Sequence, residues 1–241
     1  MQETETMKIY LSHSVGCAGW DMEGIFKNTL FQTGCRTSRF KEADKGKVKM
    51  LDWDFLEWEK DPEKIENLHL KLVQENKFDV VMSMDLFDYN VEECLDYTKE
   101  LKKYCKRVLI PVHYYTEELQ WEELAYPNAN WFTKNKYPPA KYRKDITHIL
   151  GGSPHSQLRL ITTTQQDLFG NALQFPNIKS IDGNQIFNVA IQAGKYWSPT
   201  KPHWRKPNYY DHDWTNEEIF KLSVQNLDQK VRKPTASEPF F

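Results

Sequence analysis

The stretch that decides the fold is Phe78-Asp-Val-Val-Met-Ser-Met84 with Asp85 behind it, then Val91 to Tyr104, then Arg107-Val-Leu-Ile-Pro-Val112 with His113 behind it. The first run is short, apolar and rich in β-branched residues, as a strand buried on both faces must be. The second reads as a helix and the third as another strand. A strand, a helix and a strand in about 35 residues is a βαβ unit, whose two strands lie parallel.

The same alternation extends outward. Lys8-Ile-Tyr-Leu-Ser-His13 reads as a strand, with a helix near Asp21–Gln32 behind it. Val48–Trp53 is a strand interrupted by charges. Pro62 suits the first turn of a helix that carries Ile65, Leu68, Leu72 and Val73 on one face. Downstream, strands are expected at Asn130–Thr133, Ile146–Leu150 and Ile178–Ile181, with a Tyr, Pro and Lys loop over Lys134–Arg143. Gln185–Ala193 reads as helical, 198–213 as irregular. Thr215 caps a last helix to about Lys230, with Glu217 and Glu218 in its first turn. No glycine-rich phosphate fingerprint follows the first strand, which favours a barrel over an open dinucleotide-binding sheet. The expectation is an α/β protein with a single irregular (β/α)8 TIM-like barrel over 7–232. A loose end at 1–6 and a frayed tail at 233–241 flank it.

Composition agrees. The 241 residues suit one barrel. With 32 Lys and Arg against 34 Asp and Glu, the net charge of −2 excludes a globally basic nucleic-acid coat protein but allows a local basic groove. Cys17, Cys35, Cys94 and Cys105 form no CxxC pair and have no zinc-ligand spacing, which points to reduced thiols in a cytoplasmic protein. No apolar run is long enough to span a bilayer, and the acidic start lacks a signal-peptide core.

In such a barrel, functional side chains gather where strands end. That rule selects His13, Asp52, Asp54, Asp85, Asp88, His113, the run Gly151-Gly-Ser-Pro-His155, and Asp182. Asp85, flanked by Met84, Leu86 and Phe87, is placed for a carboxyl of raised pKa suited to proton transfer. Asp88, just before the next helix, fits a cap. Asp182 stands beside Gly183, which lets a ligand approach the backbone. Gly151 and Gly152 clear side chains from a strand end, and Ser153 adds a hydroxyl. Plainer roles compete at each place: a loop acid at Asp85, an Asp-Gly turn at Asp182, a strand-to-helix turn at 151–155, and structural or surface histidines at His13, His113 and His155.

Three segments, His148-Ile-Leu-Gly-Gly-Ser-Pro-His155, Ile178-Lys-Ser-Ile-Asp-Gly-Asn184 and Ala193-Gly-Lys-Tyr-Trp197, together resemble the tRNA-guanine transglycosylase superfamily. The likeness is greater to its phage branch, which inserts 7-deazaguanine bases into DNA. Its specific residues lie mainly between 83 and 197. The resemblance implies that Asp182 is the nucleophile attacking C1′ and that Asp85 manages protons and contacts the base. It places Gly151 and Gly152 against the base; Ser153, His155, His113 and Asp88, selected by the strand-end rule, are the further expected substrate contacts. No cofactor and no metal is expected. Members acting on tRNA carry a Cys/His zinc site near the C-terminus, and this chain has no cysteine after Cys105. The zinc subdomain is therefore missing, which moves the expected substrate from tRNA to DNA, single- or double-stranded, with a free 7-deazaguanine base as co-substrate in the host cytoplasm.

Two segments mix cations with aromatics. Lys195, Lys201, Arg205 and Lys206 stand with Trp204 and His203; Lys134, Lys136, Lys141, Arg143 and Lys144 stand around Tyr137 and Tyr142. Cations of this kind bind phosphates and aromatics stack on unpaired bases, so both loops are expected on one rim. Competing readings are solvated loops there, and, for the whole chain, an N-glycosidase or a non-catalytic barrel that binds nucleic acid or a partner.

Overall fold

The computed structural model describes residues 6–12, 19–128, 137–166, 170–208 and 212–233. Eight parallel strands close a barrel in chain order: β1 (Lys8–Ser12), β2 (Phe31–Arg36), β3 (Met50–Asp52), β4 (Val80–Met82), β5 (Val108–Pro111), β6 (Glu123–Pro127), β7 (Ile146–Leu150) and β8 (Ser180–Asp182). The seam joins β1 to β8, with Tyr10 opposite Asp182. A two-stranded antiparallel ribbon, β9 (Tyr196–Trp197) with β10 (Trp204–Arg205), stands outside the barrel.

Helices cover the barrel unevenly. α1 (Met22–Phe26) follows β1, and α2 (Phe55–Trp58) and α3 (Pro62–Glu75) follow β3. α4 (Val91–Leu101) follows β4, α5 (Pro154–Thr162) follows β7, and α6 (Gln185–Ala193) and α7 (Asn216–Arg232) follow β8. Among the described residues only 3-10 turns accompany the links after β2, β5 and β6. The fold is a TIM-like (β/α)8 barrel in which, among the described residues, three strands are not followed by an α-helix. No described helix is long and apolar enough to cross a membrane.

Local chemistry accounts for the elements. Asp61 accepts a hydrogen bond from Lys64 N and Pro62 occupies the first turn, so α3 begins there. Its stripe Ile65, His69, Leu72 and Val73 is buried, at about 1.5–3 kcal/mol for each aliphatic side chain. Alternation divides the strands: Met50 and Met82 join the main core cluster, whereas Leu51 and Val81 meet Leu72, Val73 and Leu101 beneath α3 and α4. α7 is clasped at both ends. Thr215 and Glu218 form a reciprocal capping box, and near the other end Asp228 Oδ1 accepts from Leu30 N at 2.6 Å, just ahead of β2.

Several sequence expectations are corrected. The helix expected over Asp21–Gln32 stops at Phe26, a turn with Asn28 at φ +64° follows, and Phe31–Arg36 is a strand. Gln32, Thr33 and Gly34 hide that strand in the sequence, because their polarity gives no apolar run. The sixth strand is Glu123–Pro127; the expected one at Asn130–Thr133 lies outside the described residues. The irregular 198–213 segment contains β10. The strand expected over Phe78–Met84 shortens to Val80–Met82, that over Ile178–Ile181 shifts to Ser180–Asp182, and Ile146–Leu150 keeps its expected bounds. Residues 1–5 and 234–241, within the expected loose ends, also lie outside the described residues, as does His13.

Candidate active site

Strand ends from most of the barrel open into one cavity of about 640 Å³. Arg36 enters from β2, Asp52 from β3, Asp85 from behind β4, His113 from behind β5, Asn128 from behind β6, Gly151, Gly152 and Ser153 from behind β7, and Asp182 from β8. Asn184, Gln185 and Asn188 add an amide wall at the start of α6. Barrel register puts several of these in phase: Asp182 lies opposite Tyr10, Tyr10 opposite Gln32, and Arg36 opposite Asp52. Side chains two or four residues apart on a strand share a face, so Asp182, Arg36 and Asp52 all point inward.

Asp182 is buried at the floor of this mouth. Its Oδ1 accepts from Gly151 N at 2.7 Å, and Gln157 Nε2 donates to its backbone carbonyl and to that of Gly151. His148 Nε2 lies 3.5 Å from the same Oδ1, while His148 Nδ1 meets Ser180 Oγ at 2.8 Å. Burial makes this imidazole less basic than an ordinary histidine, against the pull of Asp182. A neutral ring protonated at Nε2 accepts the Ser180 hydroxyl at Nδ1 and turns its Nε2 N–H toward Asp182 without closing a hydrogen bond.

Asp85 faces His113, with Nε2 to Oδ1 at 2.8 Å. Phe87 stacks over the His113 ring at 4.5 Å with 6° between planes, and Tyr89 stacks on Phe87 at 5.2 Å. Asp52 completes the acids. Burial, reinforced by the Asp182 and Asp85 charges, pushes its carboxyl well above the ordinary range, against the pull of Arg36. Asp54, buried beside it, accepts from Ser38 Oγ. Three acids in one pocket, one of them with its carboxyl raised by burial, can support nucleophilic and proton-transfer chemistry. Among the described residues no group of three or more His, Cys, Asp and Glu is arranged to hold a metal ion.

Gly151 and Gly152 have φ of +67° and +85°. A Cβ on Gly152 would stand 2.3 Å from Asn128 Nδ2, which itself donates to Ser156 Oγ at 2.8 Å. The double glycine therefore makes a tight rim and aims Gly151 N at Asp182.

The remaining expected residues fall elsewhere. Asp88 is exposed and off the cavity, and the helix cap expected of it belongs to Asn90, which holds the turn by accepting from Phe87 N at 2.8 Å. His155 is also off the cavity; its ring stacks on His203 at 4.8 Å, turned away by the first turn of α5. That stack brings the loop between β9 and β10 beside the mouth, although Lys195, Lys201, Trp204, Arg205 and Lys206 do not line the cavity. Trp204 packs on the core, and Arg205 bonds its own loop at Thr200 Oγ1 (2.7 Å), Pro202 O and Lys201 O (both 3.1 Å). Lys195 lies about 13 Å of helix away from Gln185. The second basic segment is not on this rim. Arg143 and Lys144 precede the start of β7, at the opposite end of the barrel, and Arg143 is buried against Pro138 O and Ala172 O. Lys141 pairs with Glu117, and Lys134 and Lys136 lie outside the described residues.

Arg36, Asn128 and His148 are the residues that sequence reasoning missed. The first two end strands whose polar or proline-containing sequences conceal them. His148 carries a legible signal, a lone imidazole inside the apolar run Ile146-Thr-His-Ile-Leu150.

Fold and site together define a (β/α)8 barrel with an acidic mouth and a glycine-rimmed, buried aspartate at its last strand. The family model described as "Family of unknown function (DUF6610)" matches residues 27–232, and the chain belongs to that family. No curated protein and no solved structure matches the chain.

Proposed function

We propose that the protein is a base-exchange transglycosylase that replaces guanine in DNA with a 7-deazaguanine through a covalent intermediate on Asp182. The observation that carries this reading is the setting of Asp182. Its Oδ1 is anchored by the Gly151 amide, inside a cavity where Asp52 and Asp85 stand as two further acids. The resemblance of 148–155, 178–184 and 193–197 to transglycosylases supports the same roles.

In this mechanism the Asp182 carboxylate attacks C1′, and the C1′–N9 bonding pair leaves with guanine. The departing base takes a proton from the Asp85–His113 pair. The incoming base gives its ring N–H proton back to that pair as its nitrogen attacks C1′ and expels Asp182. Two displacements give retention. Asp52, whose carboxyl burial pushes upward, offers an O–H donor to the base when protonated. Gly151 and Gly152 present backbone where a flat ring lies close. His148 orients Asp182 from behind. Lys201 and Lys206 on the neighbouring loop meet the DNA backbone, and the host cytoplasm supplies both substrates.

Incubating DNA and the protein with a labelled 7-deazaguanine base tests this. Label entering DNA is the expected result. Guanine release without incorporation makes the protein an N-glycosidase, and binding that survives Asp182→Ala and Asp85→Ala with neither reaction makes it a non-catalytic barrel.

A further inference from the structure

Arg36 is the one Lys or Arg among the described residues lining the cavity. Its sole side-chain partner among them is Asp52, with Nε to Oδ2 at 4.0 Å, beyond hydrogen-bonding distance. A guanidinium with unspent donors facing into a mouth is an anion receptor, because its planar fork matches two oxygens of a phosphate. Burial and the acids around it raise the neighbouring Asp52 carboxyl, which weakens it as a counter-charge for Arg36.

Position decides which anion. Asp182 sits at the floor of the mouth, and strand stagger around the barrel leaves Arg36, at the end of β2 opposite Asp52, a few ångströms nearer the opening. Exposure follows that depth, 33% for the Arg36 side chain against 5% for Asp182. A nucleotide entering base first would set its sugar at Asp182 and leave its phosphate toward solvent, on the side where Arg36 stands. The long arginine side chain and the sugar–phosphate unit together span the interval.

We infer that Arg36 is the receptor for a phosphate ester carried by the sugar whose glycosidic bond meets Asp182. The inference rests on the transglycosylase reading for the sugar and adds the residue that holds the substrate's phosphate, and with it a preference for a nucleotide over a nucleoside. The ester is either a free monoester or the diester of a polynucleotide.

Calorimetric titration of the whole protein with deoxyguanosine, dGMP and the trinucleotide d(TGT) tests it. The expected result is that a phosphate-bearing probe binds about ten- to a hundredfold tighter than deoxyguanosine. Arg36→Met erases the difference. Arg36→Lys, which keeps the charge but not the fork and preserves the fold, narrows it. A gain with dGMP alone assigns the monoester; a gain with d(TGT) assigns the backbone diester. Equal binding of all three probes, no binding of any, or an undiminished gap in both variants overturns the assignment. Base exchange without the gap overturns Arg36 alone. The gap without base exchange overturns the transglycosylase reading alone.

Discussion

The amide of Gly151 and Oδ1 of Asp182, thirty-one residues apart in the chain, meet at 2.7 Å across the junction of β7 and β8. This bond makes the glycine rim and the buried acid one unit. Asp182 cannot rotate without losing a backbone donor, and Gly151 cannot shift without freeing the acid. Orientation of this kind lowers the entropy lost when a nucleophile must meet a carbon in line.

On the proposed mechanism, removing the acid removes the chemistry. Asp182→Ala and Asp182→Asn are expected to lower incorporation of labelled 7-deazaguanine into DNA on the order of a thousandfold or more. Retention of full activity by either variant refutes the nucleophile assignment.

The rim is expected to tolerate no side chain. Gly152→Ala puts a Cβ 2.3 Å from Asn128 Nδ2 at φ +85°, a conformation costly for any L-residue. A loss of about 1–3 kcal/mol is expected in urea denaturation. Gly183→Ala, whose Cβ would stand 3.4 Å from Gly152 O, is the milder control.

Asp52 predicts a stability gain with a defined pH dependence. Its folded pKa is raised by burial and by Asp182 and Asp85, so the folded state binds its proton more tightly than the unfolded one. Its contribution is thus full below the unfolded value of about 3.9 and is lost as pH rises through the folded value. Asp52→Asn does not titrate. Its advantage over the wild type should grow by about 1.4 kcal/mol per pH unit from near pH 4, then level off above the folded pKa. Thermal melts across pH 4–8 measure this, and a difference independent of pH contradicts it.

The basic loop beside the mouth predicts a salt signature. Lys201 and Lys206 are exposed on the segment joined to the rim by the His155–His203 stack. Each replacement by Ala should reduce the slope of log affinity against log salt by about 0.7 for single-stranded DNA. Arg205→Ala should act on loop order instead, since its guanidinium is committed to Thr200, Lys201 and Pro202. Slopes unchanged in both lysine variants would place the DNA elsewhere.

The barrel was legible in the sequence where a strand carries an uninterrupted apolar run and a helix follows it, as from Phe78 to Val112. β2 and β6 escaped because closure, not composition, makes them strands. Gln32, Thr33 and Gly34 become strand residues because β1 and β3 pair on either side of them, a long-range condition that no local window contains. The site divides along the same line. Asp85, His113, Gly151 and Asp182 follow from the strand-end rule, since their strands were visible. Arg36 and Asn128 follow from it only once β2 and β6 are known. Asp88 and His155 satisfied the rule in number but not in direction, because the turns after β4 and β7 aim them outward. The basic segment at 141–144 failed for a simpler reason: it precedes a strand, and residues before a strand stand at the other end of the barrel.

The seam between β1 and β8 has a consequence for synthesis. A growing chain on the ribosome holds β1 through β7 with both outer edges unpaired until Ser180–Asp182 emerges. Unpaired edges recruit other chains. Asp182, which completes the cavity, is carried by the same strand that seals the sheet, so a chain halted before residue 180 gains neither. Any truncated product is expected to be inactive and prone to aggregate together, and a shift of solubility without a loss of activity should never be seen.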